Sequence, residues 1–315
     1  MTTSRSPNLL RTGSWTALAA LLATGIAGAV FAAQFGDFST PVSAEDATSD
    51  TTLNTPATDG CPILSPDGLS LYIASNRPGG LGGLDIWVAR RATTTSGWGA
   101  PVNLGAPVNS ADNEFCPTPV RGRGLFFVRA PFAPPPGGMV GDIFHSRLDS
   151  DGWREPERLP STVNSGAQEW SPSYFEDEAG NEVLYFSSTR TGRQAIFASV
   201  NYGPATPVAE LNADGDAARP NVRKDGREIV FDSTRSPNFG GPDIWIARRG
   251  STGEPWGAPE RVAEVSSTGA DTRASLSWDG TFLLVGSTRQ GSEIGANGLP
   301  STDIYVSTRP RLTGQ

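Results

Sequence analysis

The sequence predicts an all-β protein, a β-propeller of five repeats, and three observations lead there. A strand, tight turn, strand, glycine-rich loop, strand unit recurs down the chain. It is first seen as Ser65-Pro66-Asp67-Gly68-Leu69-Ser70-Leu71-Tyr72-Ile73-Ala74-Ser75-Asn76-Arg77 with Gly83-Leu84-Asp85-Ile86-Trp87-Val88. Glycine (37) and proline (26) are abundant, which suits many short strands joined by turns. The middle strands, such as Leu125-Phe126-Phe127-Val128 and Ile229-Val230-Phe231-Asp232, are apolar on both faces, as a strand lying between two neighbouring blades must be. The period is about 45–60 residues, and a single such unit cannot bury those faces whereas a closed ring can.

Composition narrows the function. The formal net charge is −8, Lys224 is the sole lysine, and no basic run appears, so nucleic acid is excluded as a partner class. The single histidine, His145, excludes His-rich metal sites and argues against a His-based triad.

From the N-terminus, residues 1–33 read as a signal peptide. Arg5 and Arg11 precede an apolar run from Trp15 to Ala33 that ends in small residues suited to cleavage. An uncleaved N-terminal anchor is the alternative, because about 18 apolar residues can just cross a bilayer. Residues 34–52, rich in Ser, Thr, Asp and Ala, read as a flexible leader, and 53–315 as a single propeller domain.

Within the repeats, an Asp-Ile-aromatic signature stands at Asp85-Ile86-Trp87, Asp142-Ile143-Phe144, Asp243-Ile244-Trp245 and Asp303-Ile304-Tyr305, and degenerates to Ala195-Ile196-Phe197 in the third. An arginine precedes it at Arg77, Arg129, Arg190, Arg235 and Arg289. The pairs Arg77 with Asp85 and Arg235 with Asp243 read as ion pairs or caps that shape the loop, and Gly79, Gly80, Gly82 and Gly83 as suppliers of positive φ. A linker seen as Trp98-Gly99-Ala100-Pro101-Val102-Asn103-Leu104 and Trp256-Gly257-Ala258-Pro259-Glu260-Arg261-Val262 reads as an edge strand that tolerates proline. The last repeat ends at its third strand, and the segment around Thr51-Thr52-Leu53-Asn54 matches the tail of the linkers. The N-terminal segment is therefore expected to pair onto the last blade.

The Ser-Pro-Asp-Gly turn, the loop and strand Ser75-Asn76-Arg77-Pro78-Gly79-Gly80-Leu81-Gly82-Gly83-Leu84-Asp85-Ile86-Trp87 and the Pro101-to-Ser110 linker resemble the WD40-like (Pro-Asp type) β-propeller repeat of TolB-like proteins. The resemblance covers roughly 53–309. It implies a secreted or periplasmic propeller that serves as a binding or scaffolding module. TolB-like rings commonly have six blades, so a six-bladed ring is the alternative to the five repeats counted.

One column could carry chemistry. Asn54, Asn109, Asn164, Asn212 and Ser266 stand five residues before Asp59, Glu114, Glu169, Ala217 and Asp271. Four repeats thus place a carboxylate at the start of the first strand, the strand that lines a propeller's channel. Such an acid can contact a ligand, or serve the blade by accepting backbone N–H bonds. Two carboxylates about 8 Å apart repel by roughly 2 kcal/mol at an effective dielectric of 20 and by about 0.5 in water. A dry channel therefore calls for a cation, arginine partners or raised pKa values. Arg219 and Arg273 follow the column by two residues and are candidates for that positive charge. Cys61 and Cys116 hold equivalent places in the first two repeats, and an exported chain with two cysteines is expected to join them in a disulfide.

No metal or cofactor is implied: the faint calcium-loop likeness of Asn212-Ala213-Asp214-Gly215-Asp216 fails at its closing position, which is Arg223. The loops 131–141 and 290–302 break the repeat pattern and are candidates for partner contact. The expectation is a noncatalytic binding or scaffolding module, secreted or at the cell envelope or periplasm, with a protein or glycan partner. Membrane contact is expected only through an uncleaved N-terminal segment. The alternative is a glycoside hydrolase that uses two of the channel carboxylates.

Overall fold

The computed structural model describes Met1 and residues 35–48, 52–122, 124–133, 140–213 and 215–312. The chain parts into two units, Met1–Ala32 and Ala33–Gln315. The predicted export segment, 1–33, lies outside the described residues apart from Met1. No helix among the described residues is long and apolar enough to cross a membrane.

The second unit is a ring of five antiparallel sheets, so the six-bladed alternative is not adopted. Blade one runs Asp59–Leu64, Ser70–Ser75, Asp85–Arg90 and Val102–Asn103 from the axis outward. Blade two runs Asn113–Val120, Gly124–Ala130, Asp142–Asp149 and Glu157–Arg158, with Gly152–Trp153 as an extra pairing on its third strand. Blade three runs Glu169–Glu176, Glu182–Ser188, Ala195–Val200 and Thr206–Pro207. Blade four runs Ala217–Val222, Glu228–Ser233, Asp243–Arg248 and Glu260–Arg261. Blade five supplies three strands from its own stretch of chain, Asp271–Leu276, Phe282–Ser287 and Asp303–Thr308. Each innermost strand packs against the next, and the fifth against the first, which closes the ring.

The fourth strand of blade five comes from the other end of the chain. Val42 pairs with Val306 and Ser43 with Tyr305, and the short helix Ala44–Thr48 follows. Phe38 and Ala44 are buried, and the Ser39 N–H bonds the Thr308 carbonyl at 2.8 Å. This part of the segment expected as a flexible leader, 34–52, is thus an ordered edge strand. The physical reason is that blade five would otherwise present an unpaired edge. The pairing residues lie about ten positions earlier than the Thr51–Asn54 region that suggested the closure.

The core consists of the layers between blades. In blade four, Ile229 and Phe231 pack with Tyr185 and Ile196 of blade three, while Val230 between them packs with Leu283 and Val285 of blade five. That alternation accounts for the apolarity on both faces of the middle strands. Loop glycines serve the seams: a Cβ on Gly82 would stand 2.1 Å from the Asp112 carbonyl oxygen, and one on Gly240 2.4 Å from that of Thr268. Of the four glycines expected at positive φ in the first loop, only Gly79 adopts it, at 96°.

The linker asparagines pin each blade to the connection that leaves it. The Asn109 side chain accepts the Ile86 N–H at 2.9 Å and donates to the Ile86 carbonyl at 2.9 Å. Asn164 does the same at Ile143 (2.8 and 2.9 Å) and Asn212 at Ile196 (2.7 and 2.8 Å). Asn54 takes Ile304 of blade five at 2.7 and 3.1 Å, so the seam that closes the ring uses the same device. Ser266 accepts only the Ile244 N–H, at 3.2 Å. The isoleucine of the Asp-Ile-aromatic signature is therefore the residue whose peptide the next linker grips.

Candidate functional site

The acidic column is withdrawn from solvent. Asp59, Glu114, Glu169 and Asp271 are each completely buried, and each meets the arginine of its own blade. Arg77 reaches Asp59 at 2.5 Å, Arg129 reaches Glu114 at 2.8 Å, Arg190 reaches Glu169 at 3.0 Å and Arg289 reaches Asp271 at 2.7 Å. The carboxylates also accept backbone N–H groups from Thr55, Ser110, Ser165 and Ser267, four residues earlier, and so cap the linker turn. Burial pushes the Glu114 carboxyl up, and the bonds from Ser110 and Arg129 pull against it. Expected beside the central channel, these acids line neither of its two cavities, and the arginine partners named as one answer to a dry setting are what they meet.

This reassigns the recurring arginine. Chain spacing pairs it with the signature aspartate, yet in the fold it bonds the strand-start acid in the four blades that have one and lies against the signature aromatic in all five. Arg77 lies 5.6 Å from the Trp87 ring, Arg129 5.2 Å from Phe144, Arg190 4.8 Å from Phe197, Arg235 5.1 Å from Trp245 and Arg289 4.8 Å from Tyr305. Three signature aspartates hold their loops instead: Asp85 accepts the Leu81 N–H, Asp243 the Phe239 N–H at 2.9 Å and Asp303 the Glu293 N–H at 2.6 Å, while Asp142 accepts two bonds from Arg158 at 2.7 and 2.8 Å.

Two residues further along, the five innermost strands build the channel wall. Cys61, Cys116, Ser171, Arg219 and Arg273 all have left-handed backbone, with φ between 49° and 58°. Each sits in a bulge; in blade one, Cys61 and Pro62 together oppose Ile73 of the second strand. A proline follows in four of the five blades and Ala274 in the last. The bulge aims the five side chains into one cavity of about 30 Å³ on the ring axis.

There the candidate residues separate. Cys61 and Cys116 form the expected disulfide, with Cα atoms 4.8 Å apart, and the Ser171 hydroxyl donates to Cys116 Sγ at 3.1 Å. Arg219 holds Asp232 through two bonds, Nε to Oδ1 at 2.7 Å and a shorter one from Nη2 to Oδ2. The Arg273 backbone N–H donates to the same carboxylate at 3.0 Å. The Arg273 guanidinium has no hydrogen bond or ion pair among the described residues. Burial first and the neighbouring Arg219 second push its pKa down to about 10.

Below this level the seams are laced one by one. The Thr118 hydroxyl donates to the Pro172 carbonyl, Ser173 Oγ accepts the Val222 N–H at 2.9 Å, and Asn221 Oδ1 accepts the Leu276 N–H at 2.9 Å. The Ser275 hydroxyl donates to the Pro62 carbonyl at 2.6 Å. With the disulfide between blades one and two, every seam carries a covalent or hydrogen-bonded tie beside the axis.

At the far end the channel widens to a cup of about 280 Å³ among the hairpin turns. Trp278 of blade five forms part of its wall, with the Arg121 guanidinium 4.9 Å and the Lys224 ammonium 5.0 Å from its ring. Tyr174, Glu176 and Asp177 of blade three also line it. None of these residues stands out in the sequence as a candidate. The one signal is a departure from the repeat, Trp278 standing in the turn where blade one has Pro66.

The opposite face bears the loops between second and third strands. Leu81, Phe132, Phe239, Ile294 and Leu299 are exposed on it, one or two to a blade in four of the five. The 290–302 loop closes on itself through an Ile294–Pro300 bridge. In the 131–141 loop, residues 134–139 lie outside the described residues.

No protein-family profile and no curated protein matches the sequence. Solved structures do. A thermostable family-43 glycoside hydrolase is 12% identical over 84% of this chain and 92% of its own, with a TM-score of 0.53. Xylan β-1,4-xylosidase from Bacillus halodurans C-125 is 14% identical over 82% of this chain and 54% of its own, with a TM-score of 0.52. TolB from Acinetobacter baumannii is 15% identical over 79% of this chain and 53% of its own, with a TM-score of 0.48. The chain thus spans about half the length of the xylosidase and TolB chains. At such identities the likeness shows architecture and not activity: the chain is a five-bladed β-propeller.

Proposed function

We propose that the protein is a noncatalytic binding module that works outside the cytoplasm and holds a glycan or protein partner. One observation carries this reading: each carboxylate of the inward column is buried and ion-paired within its own blade. Glycoside hydrolysis needs two carboxyl groups flanking a bond, held in unlike environments and open to the sugar. These four are alike, enclosed and engaged, and their geometry supports a structural duty. The surfaces left for contact are the cup around Trp278, where an aromatic face and two cations meet, and the apolar side chains of the loop face.

Export is supported by the apolar N-terminal run and by the disulfide, which persists in oxidising compartments. The likeness of the repeats to the WD40-like, Pro-Asp type of TolB-like proteins supports a binding role in the same compartment. Affinity electrophoresis through polysaccharide gels, run beside an assay for reducing ends, tests the reading. Retardation without release of reducing ends is expected, and weaker retardation for Trp278→Ala. Release of reducing ends by the wild-type protein overturns it.

A further inference from the structure

We infer that the axial channel seats one small anion, a halide or a single carboxylate group, on the guanidinium of Arg273. Two guanidiniums enter the channel from neighbouring blades, and one carboxylate answers them. Asp232 gives both oxygens to Arg219 and one of them also to the Arg273 backbone N–H. The cluster is left with one positive charge in excess, two arginines against one aspartate.

Arg273 reaches from blade five across blade one. Its Nη1 lies 3.3 Å from where a Cβ on Gly60 would stand, and its guanidinium carbon is 6.0 Å from the Phe115 ring of blade two. Protein surrounds the side chain, which keeps a partial exposure toward the axis. A guanidinium so placed, with no acceptor among the described residues, has given up part of its hydration without recovering it in protein hydrogen bonds, and an anion restores the balance. Although its pKa is lowered to about 10, Arg273 remains charged at neutral pH.

Size and surroundings define the ligand. The cavity of about 30 Å³ has room for about one water-sized group, which excludes a sugar ring. Its wall offers the Arg219 and Arg273 side chains and the Ser171 hydroxyl. That hydroxyl is spent on a weak sulfur acceptor and can turn to an anion. A halide can come from the medium and a carboxylate from a partner that reaches the channel mouth. The seat needs no partner to fill it, so it stands independently of the binding-module reading.

The test is thermal unfolding of the full chain at constant ionic strength, with chloride or acetate replacing the bulky sulfonate MES. The melting temperature is expected to rise with the logarithm of the small-anion concentration, as for any ligand bound to the native state alone. A response to chloride identifies a halide seat, and a response to acetate alone identifies a carboxylate seat. Arg273→Met is expected to abolish the response while remaining folded. Arg273→Lys keeps the charge and is expected to retain a weakened response. Bromide-soaked crystals give a readout that needs no variant: an anomalous peak beside Arg273 is expected when the seat takes halides. Equal melting temperatures in all three salts, or an undiminished response in Arg273→Met, overturns the proposal.

Discussion

The hydroxyl of Ser275 donates a 2.6 Å hydrogen bond to the carbonyl oxygen of Pro62, joining residues 213 apart in sequence and tying blade five to blade one. Both groups are buried beside the axis. Ser275→Ala leaves the Pro62 carbonyl without that donor, and loss of one partner of a buried bond costs about 1–3 kcal/mol. Urea denaturation is expected to show a lower midpoint with an unchanged slope. A midpoint equal to wild type would remove this bond from the account of ring closure.

The asparagine pins invite a graded series. Asn109→Ala removes two buried bonds to the Ile86 peptide and is expected to cost about 2–3 kcal/mol. Asn109→Ser keeps an acceptor, as Ser266 does at the equivalent seam, and is expected to cost less. Equal losses in the two variants would show that the acceptor bond contributes nothing.

The N-terminal strand can be separated from its anchor. Phe38 is buried among Ile244, Val285 and Tyr305, whereas Val42, on the paired strand itself, is exposed. Phe38→Ala is expected to destabilise by about 3 kcal/mol and Val42→Ala by a few tenths at most. Calorimetry that finds Phe38→Ala unchanged in melting temperature would place residues 35–48 outside the cooperative unit.

Reduction of the disulfide frees a loop across a sequence separation of 55 residues. In the chain-entropy model this removes about 4 kcal/mol of stability. A thiol assay on denatured, unreduced protein is expected to find no free thiol. Under reducing agent the denaturation midpoint should fall, and Cys61→Ser/Cys116→Ser should match the reduced protein. Two thiols in the unreduced protein would contradict the bridge.

Acid should loosen the hairpin turns. At Asp67 the Ser65 hydroxyl and the Leu69 N–H hold the carboxyl below its ordinary 3.8. At Asp279 burial works upward but is outweighed by bonds from Ser277 and Thr281. A depressed folded pKa gives stability that is complete above about 3.8 and lost as pH falls through the folded value. Glu114, pushed up by burial, acts in the opposite direction, gaining stability as pH falls toward 4.5. Comparing wild type with Asp67→Asn/Asp279→Asn isolates the turns. The variant is expected to be less stable at pH 7 and to lose less stability between pH 4 and 2, where parallel curves would refute the assignment.

Several columns are legible because a propeller repeats its chemistry. Asp-Ile-aromatic, the recurring arginine and the linker asparagine each appear at a fixed place in the unit, so the number of repeats and the strand order within each follow from spacing, whereas five blades rather than six is settled by the sheets themselves. Their partners do not follow. Arg77 lies eight residues from Asp85 and 18 from Asp59, and the nearer aspartate is the natural guess along a chain. Antiparallel pairing sets Asp59 opposite Ser75, beside Arg77, while the turn of the glycine loop commits Asp85 to the Leu81 N–H. The cup escapes a reading of the sequence because it gathers Arg121, Tyr174, Lys224 and Trp278 from four blades, each in or beside a hairpin that looks ordinary on its own.

By itself, then, the sequence determined an all-β fold of five repeats, a cysteine pair in equivalent strands and a carboxylate at four of five strand starts. Those are local patterns, set by side-chain alternation, turn residues and period, and they survive whatever the chain does at long range. Tertiary structure alone decided that these carboxylates are sealed by arginines, that Val42–Ser43 completes the last blade, and that Arg273 is left facing the axis beside an already engaged Asp232. Each of these depends on ring closure, which brings blade five against blade one and turns a bulged residue in every innermost strand toward a common axis. Position along the chain carries no record of that axis.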